Sequence, residues 1–197
     1  NDLAPVDTNA HLLEFDSVHG RFPATITTTP DSIDVGRGPI RVTALRDPAT
    51  LPWDDVDIAL ECTGFFLTQD LCGKHIMAGA KRVLMSAPAK DNTKTIVYGV
   101  NDNVIDASDI FISNASCTTN CLAPVVKVIH SKLGIKHGVI TTIHNITNTQ
   151  TIIDSPHKDL RRARACGESL IPTTTGSATA ITMIYPELKG KLNGLAV

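Results

Sequence analysis

The sequence predicts an α/β fold around a largely parallel sheet, and three observations support this fold class. Short apolar segments alternate with segments of helical periodicity through the middle of the chain. Several of the apolar segments end in small polar residues, at the position where ligands bind on such sheets. The chain has 197 residues, of which 42% are hydrophobic, so it can bury the core of one large domain or two small ones.

The first part of the chain is predicted to form short elements joined by turns. The segment "AHLLEF" over residues 10–15 has the pattern of a short helix. Two β-rich segments flank the turn-rich sequence "PDSIDVGRGP", and they predict strands over 25–29 and 40–44. The proline-containing stretches at 47–48 and 51–53 then predict a loop.

The middle of the chain alternates compact apolar segments with a helical one. The helix is predicted over 69–78, ending at Gly79, and the strands over 56–60, 82–85, 96–100 and 110–113. Ligands on a parallel sheet sit beyond the carboxyl ends of its strands. The residues that follow three of these strands are therefore expected to converge at one edge: Thr63-Gly64, Ser86-Ala87 and Ser116-Cys117.

A longer amphipathic helix is predicted to begin at Cys117 and to end at Gly134. Its apolar residues recur at helical spacing: Leu122, Val125, Val126, Ile129 and Leu133. Pro124 argues against a regular first turn, so an irregular start or a kink is expected. A strand over 138–144 follows, then a polar and basic stretch over 145–175. The last eight residues, "GKLNGLAV", resemble a strand that is cut short.

Composition excludes several functional classes. Charged residues make up 19% of the chain and the net charge is −2, so neither nucleic acid nor an anionic membrane is expected as a partner. No apolar run approaches the ~18 residues that span a bilayer. The cysteine count is odd, at five, and no secretion signal precedes the first elements, which favours free thiols and a cytoplasmic location. Because the chain begins with Asn1, we expect it to be processed or cut from a longer protein.

Cys117 and His144 have two interpretations when the residues are taken alone. Cys117 lies at a predicted helix N-terminus, where the helix dipole favours a thiolate, and His144 closes the next predicted strand. Crossover geometry can bring the two together as a pair for nucleophilic catalysis. Alternatively, Cys117 is a small apolar residue and His144 a strand-end histidine with an ordinary partner. A zinc site at Cys117 and Cys121 has no further ligands at suitable spacing, so no metal is expected.

Hydroxyl and basic residues in the later part of the chain are candidates for phosphate binding. Thr147, residues 173–175 and Gly176 offer hydroxyls and a flexible backbone, although polar loops share this composition. The basic residues Lys158, Arg161, Arg162 and Arg164 are also typical of a solvated face. The Gly-rich dinucleotide fingerprint G-x-G-x-x-G is absent from the chain.

Several motifs together resemble a known family over essentially the whole chain. In order, they are "NDL", "AHLLEFDSVHGRF", "LPW", "ECTGFF", "SNASCTTNCLAP", "TTIHNITNTQ", "IPTTTGSATAI" and "PELKGKLNGLA". They resemble phosphorylating glyceraldehyde-3-phosphate dehydrogenase, and the Ser-Cys-Thr-Thr-Asn-Cys motif is highly specific. The resemblance implies a partial Rossmann-type dinucleotide-binding domain over 1–116, which lacks its first βα unit. It also implies part of an α+β catalytic domain over 117–197, so the chain is expected to be a fragment.

The resemblance assigns roles to individual residues of this chain. Cys117 matches the nucleophile and His144 its activating base. The residues that match substrate or inorganic-phosphate contacts are Ser116, Thr118, Thr147, Thr175 and Gly176. The residues that match cofactor contacts are Asp2, Arg46, Thr63, Phe66, Ser86 and Asn148. Asp2 matches the carboxylate that accepts from ribose hydroxyls, and it favours NAD because it would repel a 2′-phosphate.

The implied activity is the NAD-dependent oxidation and phosphorylation of glyceraldehyde 3-phosphate to 1,3-bisphosphoglycerate through a cysteine thioester. The implied assembly is a homotetramer, in which residues 154–169 pack between subunits. Departures from the family pattern leave alternatives open. "DLRRARA" is more like erythrose-4-phosphate dehydrogenase, whereas Thr175-Gly176 is not, and the combination also resembles a subgroup linked to arsenate resistance. A third alternative is a non-catalytic redox sensor on the same scaffold, with Cys117 as its thiol.

Overall fold

The computed structural model describes all residues from 1 to 197, and they form two compact units. The first unit comprises Asn1–Ala59 and Asp70–Val83, and the second comprises Leu60–Gln69 and Leu84–Val197. The predicted boundary between a dinucleotide-binding domain (1–116) and a catalytic domain (117–197) does not coincide with the division into these two units, and it stays a prediction.

Four helices and twelve strands make up the regular structure. The helices are α1 (Val6–Glu14), α2 (Gln69–Met77), α3 (Cys117–Leu133) and α4 (Ser177–Ile184). The strands of the first half are β1 (Phe15–Asp16), β2 (Gly20–Arg21), β3 (Thr27–Thr29), β4 (Ser32–Asp34), β5 (Pro39–Arg41), β6 (Ile58–Glu61), β7 (Arg82–Met85) and β8 (Lys94–Thr95). The remaining strands are β9 (Phe111–Ser113), β10 (Gly138–Thr142), β11 (Thr173–Thr174) and β12 (Leu192–Ala196).

The first unit carries two small antiparallel sheets beside its helices. β1 pairs with β2, and β3, β4 and β5 form a meander in that order. The helix predicted over 10–15 is α1, which begins four residues earlier, at Val6. The two predicted strands around the turn-rich sequence are present but shorter, as β3 and β5, with β4 inside the turn-rich sequence. Strands this short come from closely spaced turns, which a propensity pattern does not resolve.

The second unit contains the carboxyl ends of the four-stranded sheet, whose order is β6-β7-β9-β8. Hydrogen bonds between residues at these ends show that neighbouring strands finish side by side. The Ser86 amide donates to the Glu61 carbonyl at 3.0 Å, and the Asn114 amide donates to the Met85 carbonyl at 2.9 Å. The predicted convergence of three strand ends at one edge is therefore confirmed. β8 pairs with β9 in parallel, as an α/β fold requires.

The apolar segment 96–100 was expected to be a strand, and this prediction is wrong. The strand β8 ends at Thr95, although the Ile96 amide still donates to the Ser113 carbonyl. The Asn101 side chain then replaces the sheet partners, because its amide donates to the Thr95 carbonyl and its oxygen accepts from the Val97 amide at 2.8 Å. Such side-chain bonds compete with sheet ladders and turn the chain. The side chains of Ile96 and Val97 are still buried, whereas Tyr98 is exposed.

α3 is continuous from Cys117 to Leu133 and contains Pro124. An irregular start was one of the two effects expected from Pro124, and it is not seen, since Ser116 caps the helix and its hydroxyl accepts from the Thr119 amide at 3.0 Å. The other expected effect, a kink at Pro124, stays a prediction. Proline inside a helix costs about 3 kcal/mol. The buried Ala123 and Val126, on either side of Pro124, provide packing that offsets this cost. Gly134 ends the helix with φ +75°, a conformation that glycine adopts without strain.

A second sheet and the main hydrophobic core complete the second unit. β10 pairs in parallel with β12, which pairs with β11 on its other side. The core lies around α3 and α4, with contributions from residues before α3 and from a residue after α4. Its buried members are Val97, Ala115, Ala123, Val126, Ile181 and Leu188. None of the helices combines the length and the apolar character that crossing a bilayer requires.

Candidate active site

Cys117 is the first residue of α3, and its thiol is exposed at the helix N-terminus. Ser116 occupies the capping position immediately before it. The free backbone N–H groups and the dipole of the first turn stabilise negative charge at this position. The sequence therefore presents a thiol where the local backbone favours its ionised form.

The imidazole of His144 lies against this thiol. His144 follows β10, and its Nε2 atom is 3.2 Å from Cys117 Sγ. Its Nδ1 atom is 2.6 Å from the carbonyl oxygen of Asn145, which can only accept a hydrogen bond. Nδ1 must therefore carry a proton, and this leaves Nε2 free to take the proton of the thiol. The interpretation in which the two residues are unrelated does not hold.

The pair shifts the acidity of both groups in the directions that proton transfer needs. The hydrogen bond with His144 is the main cause that lowers the pKa of the Cys117 thiol. Burial opposes it by raising the pKa, and the Thr118 amide lowers the pKa further. The Asn145 carbonyl and the Cys117 sulfur both raise the pKa of His144. These shifts favour the thiolate–imidazolium form, in which sulfur is a nucleophile.

A cavity of about 610 Å³ lies in front of the thiol. Its walls include all seven residues that the sequence predicted for catalysis and phosphate binding: Ser116, Cys117, Thr118, His144, Thr147, Thr175 and Gly176. These residues come from three separate stretches of the chain. The fold brings them together because β10, β11 and β12 are neighbours in one sheet.

Two helices begin at the edge of this cavity. α3 begins at Cys117, and α4 begins at Ser177 with Gly176 at its capping position. The Thr175 hydroxyl oxygen accepts from the Ser177 amide at 3.2 Å, which fixes Thr175 beside the start of α4. Helix N-termini and hydroxyls together attract oxyanions. The cavity therefore has the chemistry of a phosphate site at two places.

Arg162 supplies a cation to the same cavity, although the sequence motifs gave it no role distinct from that of the other basic residues. Its Nε atom donates to the Thr173 hydroxyl at 2.7 Å, and its Nη1 atom donates to the Thr149 hydroxyl at 3.2 Å. Thr149 in turn lies 2.9 Å from the hydroxyl oxygen of Thr147. The charge of Arg162 also opposes the rise in the pKa of His144. The sequence left open that the basic residues form a solvated face, and for Arg162 that interpretation is wrong.

The neighbouring arginines, Arg161 and Arg164, form ion pairs outside the cavity, although the sequence offers no signal that separates them from Arg162. Arg161 forms an ion pair with Asp159 at 2.7 Å, and Arg164 forms one with Asp154 at 3.1 Å. Neither lines the cavity around Cys117. The direction of each side chain depends on the irregular loop that precedes β11, and this loop has no periodicity to interpret.

The six residues predicted to contact the cofactor lie outside this cavity. Thr63 and Ser86 are exposed and follow the adjacent strands β6 and β7. The Thr63 amide and hydroxyl both bond to the buried Glu61 carboxylate, which fixes the loop that starts there. Phe66 is half-buried in the same loop and Asn148 is exposed in the loop after β10.

Asp2 and Arg46 lie in the first unit, on adjacent segments. Asn1 pairs with Leu45 through both atoms of its side-chain amide, at 3.1 and 2.9 Å, and the Asp2 amide donates to the Thr43 carbonyl at 2.9 Å. Both Asp2 and Arg46 are exposed. All five cysteines are free, as predicted, and no cluster of three or more His, Cys, Asp and Glu residues has a geometry that could hold a metal ion.

Two family models match the chain, one at each end. The model of the glyceraldehyde 3-phosphate dehydrogenase NAD binding domain matches residues 1–69. The model of the glyceraldehyde 3-phosphate dehydrogenase C-terminal domain matches residues 116–197. The predicted fold class, a Rossmann-type part followed by part of the catalytic domain, is confirmed by these matches.

Curated relatives match along the whole chain. Glyceraldehyde-3-phosphate dehydrogenase of Cereibacter sphaeroides is 58% identical over 197 residues, which are 100% of this chain and 59% of that protein. The enzyme of the same name from Xanthobacter flavus is 57% identical over 199 residues, with the same coverage of 100% and 59%. That of Geobacillus stearothermophilus is 54% identical over 200 residues, covering 100% of this chain and 60% of the relative. The chain thus spans about three fifths of the length of these relatives, and it belongs to the glyceraldehyde-3-phosphate dehydrogenase family.

Proposed function

We propose that the full-length protein is an NAD-dependent, phosphorylating glyceraldehyde-3-phosphate dehydrogenase. It would oxidise glyceraldehyde 3-phosphate with inorganic phosphate to 1,3-bisphosphoglycerate, through a thioester on Cys117. The observation that carries the proposal is the contact of 3.2 Å between Cys117 Sγ and His144 Nε2 at the edge of a cavity that attracts anions. The relatives that carry this name support the substrate class.

Cys117 and His144 perform the oxidation of the aldehyde. The Cys117 thiolate forms a C–S bond to the aldehyde carbon, and the carbonyl oxygen becomes an oxyanion that takes a proton from the His144 imidazolium. His144 takes this proton back as the carbon is oxidised, so that a C=O bond forms and a thioester remains. NAD, when bound, accepts the hydride that leaves this carbon.

Inorganic phosphate then releases the product. An oxygen of phosphate attacks the thioester carbon and forms a C–O bond, the C–S bond breaks, and sulfur leaves as the Cys117 thiolate beside the His144 imidazolium, which restores the starting ion pair. Thr175, Gly176 and Arg162 are the groups suited to hold this anion, because they offer a hydroxyl, a helix N-terminus and a fixed cation. Thr147 and the Thr149 hydroxyl are placed to hold the phosphate of the sugar.

The residues proposed for the cofactor have suitable chemistry. Thr63 and Ser86 offer exposed hydroxyls at adjacent strand ends, and Gly64, with φ +74°, leaves open space where another residue would place a Cβ. The exposed carboxylate of Asp2 suits ribose hydroxyls and disfavours a 2′-phosphate. Arg46, Phe66 and Asn148 complete the proposed set.

We further propose that the full-length protein is a homotetramer in the cytoplasm, with a domain boundary between residues 116 and 117. Large apolar side chains in or next to residues 154–169, the segment that the resemblance places between subunits, are exposed: Ile153 at 77%, Leu160 at 79% and Leu170 at 74%. Contact with other subunits would cover them, which supports a homotetramer. Five free thiols support a cytoplasmic location. The division into 1–116 and 117–197 fits the placement of the nucleophile at the start of the second part.

The test is an assay of the full-length protein for NADH formation from glyceraldehyde 3-phosphate and NAD. The proposal predicts formation that depends on phosphate and is lost in Cys117→Ser. Erythrose 4-phosphate is assayed in parallel, and arsenate replaces phosphate in a second arm. Faster turnover of the tetrose would transfer the assignment to the sister enzyme, and no turnover of either sugar would refute the proposal.

A further inference from the structure

We propose that Asn120 is a positioning residue for the reactive thiol, because its side-chain amide holds the strained turn from which Cys117 projects. Cys117 is the nucleophile of the proposed function, and the inference deepens that function. It concerns the state of the thiol, however, and can be tested without substrate.

The turn before Cys117 contains the only residue other than glycine with a positive φ angle. Ala115 has φ +58°, in the left-handed region that a Cβ atom disfavours. Its side chain is 2% exposed and belongs to the core cluster with Ala123, Val126 and Leu188. Strain of this kind persists where surrounding contacts determine the conformation, and it concentrates at functional sites.

The Asn120 amide bridges the two peptide carbonyls that flank this residue. Its Nδ2 atom donates to the Asn114 carbonyl at 2.7 Å and to the Ser116 carbonyl at 2.9 Å. A side-chain amide has two N–H groups, and both are used here. The backbone amide of Asn120 also donates to the Ser116 carbonyl at 2.9 Å. Asn120 thus holds the carbonyl before Ala115 and the carbonyl after it.

The other side of the turn is attached to the sheet. Ser113 is fully buried, and its hydroxyl oxygen accepts from the Ala115 amide at 3.2 Å and donates to the Ala87 carbonyl at 2.9 Å. The Asn114 amide donates to Met85 in β7. Because this side is anchored to β7 and β9, a change at Asn120 would release the side that leads to Cys117.

The position of the thiol depends on this turn. Cys117 follows Ser116 directly, and its pKa is lowered chiefly by the hydrogen bond with His144. A hydrogen bond to sulfur weakens steeply with distance and angle. When the two side-chain bonds of Asn120 are lost, the Ser116 carbonyl keeps only its bond to the Asn120 backbone amide and the Asn114 carbonyl loses this partner, so the turn loosens, the geometry at Sγ changes and the thiol becomes harder to ionise. Both side-chain bonds of Asn120 go to backbone carbonyls, so Asn120 acts on the sulfur through the backbone.

The experiment measures the rate of iodoacetamide alkylation of Cys117 against pH in the full-length protein, without substrate. We expect Asn120→Ala to slow alkylation at pH 7 about three- to tenfold and to move the profile to higher pH, since one pKa unit is tenfold in thiolate. Ser131→Ala is the matched control. It removes a side-chain to carbonyl bond of 3.2 Å in the same helix and should leave the profile unchanged.

Relief of strain at Ala115 provides a rescue that a purely structural role does not predict. Glycine adopts φ +58° without a Cβ penalty, so the double variant Ala115→Gly/Asn120→Ala should regain at least half of the lost rate on a logarithmic scale. An unchanged profile in Asn120→Ala, a matching shift in Ser131→Ala, or no rescue by glycine would each overturn the proposal. If Asn120→Ala does not fold, Asn120→Gln replaces it in the same comparison, with the same outcomes.

Activity measurements separate this inference from the proposed function. A shifted alkylation profile in a protein that has no dehydrogenase activity would refute the proposed function and retain the positioning role. Normal dehydrogenase activity of the wild-type protein, together with an unshifted alkylation profile in Asn120→Ala, would retain the proposed function and refute the positioning role.

Discussion

The Nε2 atom of His144 lies 3.2 Å from the Sγ atom of Cys117, although 27 residues separate the two in the chain. One residue begins α3 and the other follows β10, so the contact depends on the way the helix packs against the second sheet. The carbonyl of Asn145 fixes the proton on the far nitrogen of the ring. The contact therefore has a defined direction, from thiol to imidazole.

Substitution of His144 should slow turnover, whereas substitution of Cys117 should abolish it. His144→Asn is expected to lower kcat of the full-length protein by roughly 10²–10⁴-fold, the usual contribution of a positioned acid and base. Cys117→Ser should abolish phosphorylating turnover, because a serine hydroxyl is not ionised at this position. Steady-state kinetics measure both. His137→Asn, an exposed histidine before β10, is the control and should retain full activity, and near-normal turnover in His144→Asn would contradict the assignment.

Substitution of Arg162 should raise the KM for inorganic phosphate more than the KM for the aldehyde. Arg162→Leu removes the cation from the cavity, so the KM for inorganic phosphate is expected to rise about tenfold or more, in line with a charge-assisted hydrogen bond. The variant should also raise the pKa of His144, because the positive charge of Arg162 opposes protonation of the ring. Phosphate titrations and the pH dependence of kcat measure these effects.

The adjacent arginine offers a matched control for this prediction. Arg161 has the same charge and lies one residue away, but it pairs with Asp159 and does not line the cavity. Arg161→Leu should therefore leave the KM for phosphate unchanged. Equal effects from the two substitutions would indicate that only the general charge of the loop matters.

Stability of the second unit should depend on the core between α3 and α4. Ile181 is fully buried in α4, and Ile181→Ala is expected to lower the free energy of unfolding by about 2–5 kcal/mol, through lost burial and a cavity. Met183 lies two residues later in the same helix and is 61% exposed, so Met183→Ala should change it by less than about 0.5 kcal/mol. Denaturant unfolding measures both, and a similar loss in the two variants would show that this core is misplaced.

Much of the fold could be predicted because it is periodic. The strand β7 has the predicted bounds, and α3 begins and ends at the predicted residues. The apolar segment at 96–100 failed because periodicity does not reveal a competing side chain such as that of Asn101. Pro124 led to the expectation of an irregular helix start, but α3 is regular there because tertiary packing outweighs the local preference of proline.

The candidate site could be predicted in its motifs but not in its irregular parts. Cys117 and His144 stand at the ends of regular elements, whose positions follow from the fold. Arg162 lies in a loop with other basic residues, and only the three-dimensional path of that loop decides which one enters the cavity. The bonds of Asn120 to the turn before Cys117 are likewise local geometry that composition does not encode.

The central claim is that His144 holds Cys117 in an ionised, reactive state, and alkylation of the thiol against pH tests it most directly. The pKa of Cys117 is lowered from its ordinary value of 9.0, so the thiolate is present above the lowered pKa and is lost only as pH falls through it. The full-length protein should thus react with iodoacetamide well below pH 9, and His144→Asn should move this profile up toward the ordinary value. A wild-type profile centred near 9, or one that His144→Asn does not move, would contradict the account.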